Sequence, residues 1–129
     1  MKHLFTLFFF TTISTCFWGQ SMDCSKFRNG KFKTKARDGF PETTIERKDH
    51  IQIEKVKGQK GHSEMIVRWI DECTYTLTPT AETLAKQPSI PKNAILTVTI
   101  IKVKEKSYIQ TTTSNFIDIE LTSEIIQIK

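Results

Sequence analysis

From residue 31 onward the chain is a succession of short runs rich in Val, Ile, Thr and aromatic residues, each ended within a few positions by turn residues. This pattern constrains the fold most, because it leaves almost no stretch long enough for an amphipathic helix. Residues 73–78 (CTYTLT) show it plainly: Cys73, Tyr75 and Leu77 fall on one side and three threonines on the other. That is the period of a strand with one buried and one wet face. The same alternation over 63–70 predicts Met65, Val67 and Trp69 as inward residues, with Ile66 and Ile70 left for a loop or a short helix to cover.

Turn signals divide the rest. Asn29-Gly30 leads into a strand over 31–36, and Thr43–Lys48 and Ile51–Val56 read as a hairpin through Asp49-His50. Asp71-Glu72 separates 63–70 from 73–78, and 94–104 (AILTVTIIKVK) is the segment densest in β-branched residues. Glu105-Lys106 turns the chain into 107–113, and Ser114-Asn115 turns it into 116–122, where Ile117, Ile119 and Leu121 alternate with Asp118 and Glu120. The phase shifts at Ser123, which predicts a bulge or a final short strand over 125–128. Only 80–87 (TAETLAKQ) offers a helix, two turns at most, capped by Thr80 and stopped by Pro88 and Pro91. The expected fold class is therefore all-β: an antiparallel up-and-down meander of about eight strands, closing into a small barrel, with at most one short helix.

The first twenty residues differ from everything after them. Lys2 precedes an apolar stretch that runs through Ile13, and Gly19, Gln20 and Ser21 follow. That order is that of a secretory signal peptide over residues 1–20, and the stretch falls short of the ~20 apolar residues a spanning helix needs. Cleavage near residues 19–21 leaves residues 21–129 as a single β domain, secreted or periplasmic, with no transmembrane span in the mature chain. Ile13-Ser14-Thr15-Cys16 loosely resembles a bacterial lipobox, so the alternative is a lipoprotein anchored through Cys16.

With Cys16 in the signal, the mature chain keeps Cys24 and Cys73. Two cysteines in an oxidising compartment predict one disulfide. His50 and His62 do not give the local spacing a metal site would need, so no metal and no cofactor is expected. Loss of Lys2 leaves 18 basic against 14 acidic residues, a net +4 with the signs interspersed. Such interspersion argues for solubility and against a nucleic-acid partner. The stretch 26–33 interleaves Lys and Arg with Phe27 and Phe32 as nucleic-acid barrels do, but the expectation is that both rings face the core.

No catalytic constellation stands out: the chain has no nucleophile elbow, no zinc-protease helix motif and no glycine-rich phosphate loop. His50 and His62 read as turn residues, and Asp71-Glu72 and Asp118/Glu120 as surface charges. The chain is expected not to be an enzyme.

Cys24-x-x-Phe27-x-x-Gly30-x-Phe32, Ile45-x-Arg47, Gln52-x-Glu54 and Trp69-x-x-x-Cys73-x-Tyr75-x-Leu77-Thr78 together resemble a loose pattern shared by small secreted two-cysteine β-proteins of one Gram-negative bacterial lineage. The resemblance covers most of the mature chain and implies no particular activity. Some members carry the label DNA topoisomerase IV, whose ATPase module, metal-binding carboxylates and cleaving tyrosine on a large scaffold have no counterpart here. The opening Phe-x-x-Gly-x-Phe before a meander also resembles lipocalin-like barrels, which implies a small apolar ligand in the barrel mouth. The candidate ligand-lining residues are Trp69, Tyr75 and Phe32. The expected function is a secreted, non-enzymatic binding or interaction protein holding a small apolar ligand in its barrel. The alternative is a structural or inhibitory envelope module that contacts another envelope protein.

Overall fold

The computed structural model describes residues 22–37 and 39–129; the expected signal peptide, its cleavage point and Cys16 lie outside the described residues. Eight antiparallel strands form a closed barrel in sequence order: β1 (Gly30–Thr34), β2 (Thr43–Lys48), β3 (Ile51–Val56), β4 (Ser63–Trp69), β5 (Thr74–Pro79), β6 (Leu96–Val103), β7 (Ser107–Ser114) and β8 (Leu121–Gln127). Each strand pairs with the next, and β8 pairs with β1, so no edge is left open. The all-β meander is the fold that the alternating runs indicate.

Two ends result. The short turns after β2, β4 and β6 gather at one end, the base, together with the chain entering β1. The longer connections after β1, β3, β5 and β7 gather at the other, the mouth. Asp49, with φ 56°, and His50 close the turn between Lys48 and Ile51, and the Asp49 N–H donates to Asn29 Oδ1 at 2.9 Å. Gly30 has φ 140°, and a Cβ there would stand 3.0 Å from the carbonyl oxygen of Lys129. Glycine alone combines that backbone angle with so close an approach of the C-terminal residues.

A 3-10 turn, Ser25–Phe27, plugs the base. The Cys24–Cys73 disulfide ties it to the residue before β5, with Cα atoms 5.4 Å apart. Phe27 is fully buried among Phe32, Ile100, Tyr108 and Ile125. Helix α1 (Ala81–Lys86) lies at the mouth, where Thr80 Oγ1 accepts from the Thr83 N–H at 3.2 Å. Thr83 Oγ1 in turn accepts from the Glu64 N–H and donates to the Glu64 carbonyl, fastening the helix to β4.

Three expectations are corrected. Residues 116–122 are not a strand of their own: β7 pairs Thr112 with Leu121, so residues 116–120 lie in the loop beyond the ladder, where Ser114 Oγ accepts from the Ile117 N–H, and Leu121 and Thr122 begin β8. The alternation there is that of an exposed loop, and the final strand is Leu121–Gln127. The bulge falls between Ile100 and Lys102 in β6 and not at Ser123. Ile66 and Ile70 stay exposed, because α1 is fastened at the mouth end of β4 and covers neither. Met65 and Val67 are buried and Trp69 half-buried, on the inward side. Among the described residues no helix is long and apolar enough to cross a membrane.

Candidate functional site

The base half of the barrel interior is built around a charge. Alternation along β2 puts Ile45 and Arg47 on the inward face, and Arg47 is 1% exposed. Its Nε–H donates to Gln52 Oε1 at 2.8 Å and Nη1 to the Phe27 carbonyl at 2.6 Å. Nη2 donates to the hydroxyls of Tyr75 and Tyr108, both at 2.9 Å. The guanidinium carbon lies 5.0 Å from the Phe32 ring centroid and 4.7 Å from that of Tyr75. Burying a cation this completely is tolerable because its edge is hydrogen-bonded and aromatic rings pack against it.

The network continues upward. Gln52 Nε2 donates to Glu54 Oε1 at 2.7 Å, and the Tyr75 hydroxyl donates to Gln110 Oε1 at 3.3 Å. Gln52 thus bridges Arg47 to the one carboxylate that faces the lumen among the described residues. Burial raises the Glu54 carboxyl above its ordinary range, opposed by the Gln52 hydrogen bond and the Arg47 charge. Burial also opposes the charge on Arg47, yet the Tyr75 and Tyr108 hydroxyls, and Glu54 after them, outweigh it and raise the guanidinium pKa. Burial first, then Tyr108, pushes the Tyr75 phenol well above its ordinary value. Arg47 stays charged and Tyr75 neutral, so the floor is a fixed polar plug.

Beyond this floor Met65, Val67, Leu77 and Val98 pack the β4–β6 side of the interior. Glu54, Gln110, Thr112 and Ser123 face inward by register and are half-buried. One cleft of about 330 Å³ opens over Glu54 and is rimmed by Lys60, His62, Ser63, Lys86 and Gln87. A second, of about 290 Å³, lies on the β6–β8 side and is lined by Phe40, Leu96, Phe116, Ile117, Ile119 and Leu121 together with Thr112. Phe40, Ile117 and Ile119 remain 51%, 50% and 58% exposed. Large apolar side chains thus stand in water around an apolar cleft.

No protein-family model, curated protein or solved structure matches the chain.

The residues singled out in the sequence are scattered. Phe32 and Tyr75 lie in the packed base, and half-buried Trp69 packs at a tilt against Tyr75, ring centroids 4.6 Å apart, with Arg28 over its ring at 4.8 Å. None of the three lines the apolar cleft at the mouth. Phe27 and Phe32 of the basic–aromatic stretch are both fully buried, while Lys26 reaches across to the carbonyls of Lys104 and Glu105. His50 lies in the base turn and His62 at the mouth, at opposite ends. Asp71 caps its own turn by accepting from the Cys73 N–H at 2.9 Å, and Asp118 and Glu120 are exposed in the mouth loop. Among the described residues no three His, Cys, Asp or Glu side chains gather as a metal site would require.

Sequence reasoning missed both the polar floor and the mouth cleft, for different reasons. The floor does carry a signal, since alternation puts Ile45 with Arg47, and Gln52 with Glu54, on one face of each strand. The mouth cleft carries none, because Phe40 and the residues from Phe116 to Leu121 meet only after the barrel closes.

Proposed function

We propose that this is a secreted, non-enzymatic binding protein that holds a small apolar ligand at the open end of its barrel. The observation that carries the reading is the apolar cleft of Phe40, Leu96, Phe116, Ile117, Ile119 and Leu121, set where loops meet at a barrel mouth. Arg47 and its partners fill the base and Met65, Val67, Leu77 and Val98 pack the interior beyond it, so the ligand lies in the rim cleft. Export is supported by the signal-like first twenty residues and by the Cys24–Cys73 disulfide. N-terminal sequencing of protein recovered from medium or periplasm tests it: a start near residue 21 is expected, and a lipidated Cys16 would replace release with anchoring.

Fluorescence titration with N-phenyl-1-naphthylamine, a neutral apolar probe, tests the site. Saturable enhancement is expected with the native protein and its loss in the Phe116→Ser/Ile119→Ser double variant. Absence of enhancement sinks the reading. One observation favours the alternative of an envelope module acting by protein contact: the base is filled by Phe32, Tyr75 and Tyr108 and offers no ligand space. The exposed mouth loops would then be the contact surface, and the probe would find no saturable site.

A further inference from the structure

We propose that the outer face of β1–β3 docks on a lipid bilayer that carries anionic headgroups, with its lysines on the phosphates and its isoleucines in the interface between them. This surface is separate from the mouth cleft and stands without it. Basic and acidic residues are interspersed along the chain, but the fold sorts them. Phe32, Ile45, Arg47 and Gln52 turn inward, so the outward positions of these strands include Lys31, Lys33, Lys48 and Lys55 against one carboxylate, Glu46. Register sets Glu46 opposite Lys31, and Asp49 and Glu64 lie at the borders of the face. Among the described residues none of the four lysines has a carboxylate within ion-pair distance, whereas Lys35, Lys86 and Lys104 do. The opposite side of the barrel differs. There the outward pairs Thr74–Thr99, Thr76–Thr97, Thr97–Thr113 and Thr99–Thr111 carry no charge.

Charge gives the sign of the partner, and the isoleucines give its kind. Two grooves, of about 390 and 220 Å³, run along this face and adjoin at Glu46 and Ile53. Ile51 and Ile53 line them together with Ile128, which is 52% exposed, and Ile66, paired with Ile51, is 44% exposed. Cross-strand rows therefore mix cation and aliphatic side chain, as in Lys48–Ile51–Ile66 and Ile128–Lys31–Glu46–Ile53. An anionic bilayer offers phosphate to the lysines and the edge of its acyl region to the isoleucines. A soluble polyanion engages the lysines alone and leaves the isoleucines in water. Proteins that hold single-stranded nucleic acid stack its bases on aromatic rings or arginine, and no outward position of β1–β3 carries either.

Cosedimentation tests this. The protein should pellet with vesicles of about 7:3 phosphatidylcholine and phosphatidylglycerol but not with phosphatidylcholine alone. Salt at about 0.5 M should release it. Two triple variants of equal net charge separate this face from total charge. Lys31→Gln/Lys48→Gln/Lys55→Gln should weaken vesicle binding about a hundredfold. Thr76→Glu/Thr99→Glu/Thr113→Glu, on the uncharged side, should weaken it less than about tenfold. Spin-labelled phosphatidylglycerol in the vesicles gives a readout on the wild-type protein that needs no variant to fold. The N–H resonances of Ile51, Ile53 and Lys55 should broaden, and those of Thr76, Thr97 and Thr111 should not. Equal binding to the two vesicle types, equal loss in the two triple variants, or broadening on the threonine side overturns the proposal. Binding to dextran sulfate with none to the anionic vesicles makes the partner a soluble polyanion and overturns it as well.

Discussion

The two ends of this barrel solve opposite problems with the same strands. At the base, the turn Ser25–Phe27, the disulfide and the hydrogen-bonded Arg47 fill the interior, and Phe27, Phe32, Tyr75 and Tyr108 are almost wholly buried. Toward the mouth, Met65, Val67, Leu77 and Val98 fill the β4–β6 side of the interior, Glu54, Gln110, Thr112 and Ser123 are half-buried on the other side, and Phe40, Phe116, Ile117 and Ile119 stand exposed around the rim. Interior volume in a barrel of eight strands is small enough for side chains to fill, so whether a lumen exists is decided by which side chains point into it. Buried clusters hold both halves of the interior, and the exposed apolar surface is confined to the loops at the mouth.

The largest expected effect that separates the ends is Arg47→Ala. Removing the guanidinium leaves Gln52, the Phe27 carbonyl and two tyrosine hydroxyls without their donor, and a loss of ~3–5 kcal/mol is expected in chemical denaturation. A near-neutral result would mean that the base is loosely sealed. Trp69→Ala should cost ~3 kcal/mol, at the lower end for a large-to-small core change because the ring is half-buried. If that variant is instead stable but no longer binds the probe, Trp69 belongs to the ligand site. Replacing Cys24 and Cys73 together by serine should cost ~2–4 kcal/mol by freeing the base plug, again read by denaturation.

Much of this contrast is legible in the chain. Strict alternation in Ser63–Trp69 and Thr74–Pro79 marks the inward set and, with the turn residues, the meander. The polar floor is harder to see because its parts are remote: Arg47 finds Phe27 at 20 residues' separation, Tyr75 at 28 and Tyr108 at 61. A buried arginine looks like a surface one until its partners are in place. The stretch 116–120 misleads for a related reason. Its alternation matches a strand, but the Thr112–Leu121 pairing leaves it past the end of the β7–β8 ladder with nothing to pair against.

A smaller effect concerns Glu54. Its carboxyl is raised in the folded state, chiefly by burial, so the folded protein keeps that proton to higher pH than the unfolded chain does. Wild-type stability relative to Glu54→Gln is therefore fully present below the ordinary carboxylate range and is lost as pH rises through the raised value. Urea denaturation of both proteins across mildly acidic to neutral pH reads this directly. Comparing the pair cancels the exposed Asp71 and the Lys104-bonded Glu124, whose pKa values are lowered and whose contributions run in the opposite sense. Wild-type stability that climbs with pH relative to the glutamine variant would contradict the raised carboxyl.

The smallest effect on stability belongs at the mouth. Phe116→Ser and Ile119→Ser should each change stability by less than ~0.5 kcal/mol, as exposed positions do. The division of the barrel is tested most directly by following backbone and side-chain N–H resonances while N-phenyl-1-naphthylamine is added. Shifts confined to Phe40, Thr112 and the residues from Phe116 to Leu121 are expected, with the Trp69 indole and the Arg47 Nε–H unmoved. Saturable shifts at Trp69 and Arg47 with the mouth loops silent would contradict a sealed base and an open, ligand-holding mouth.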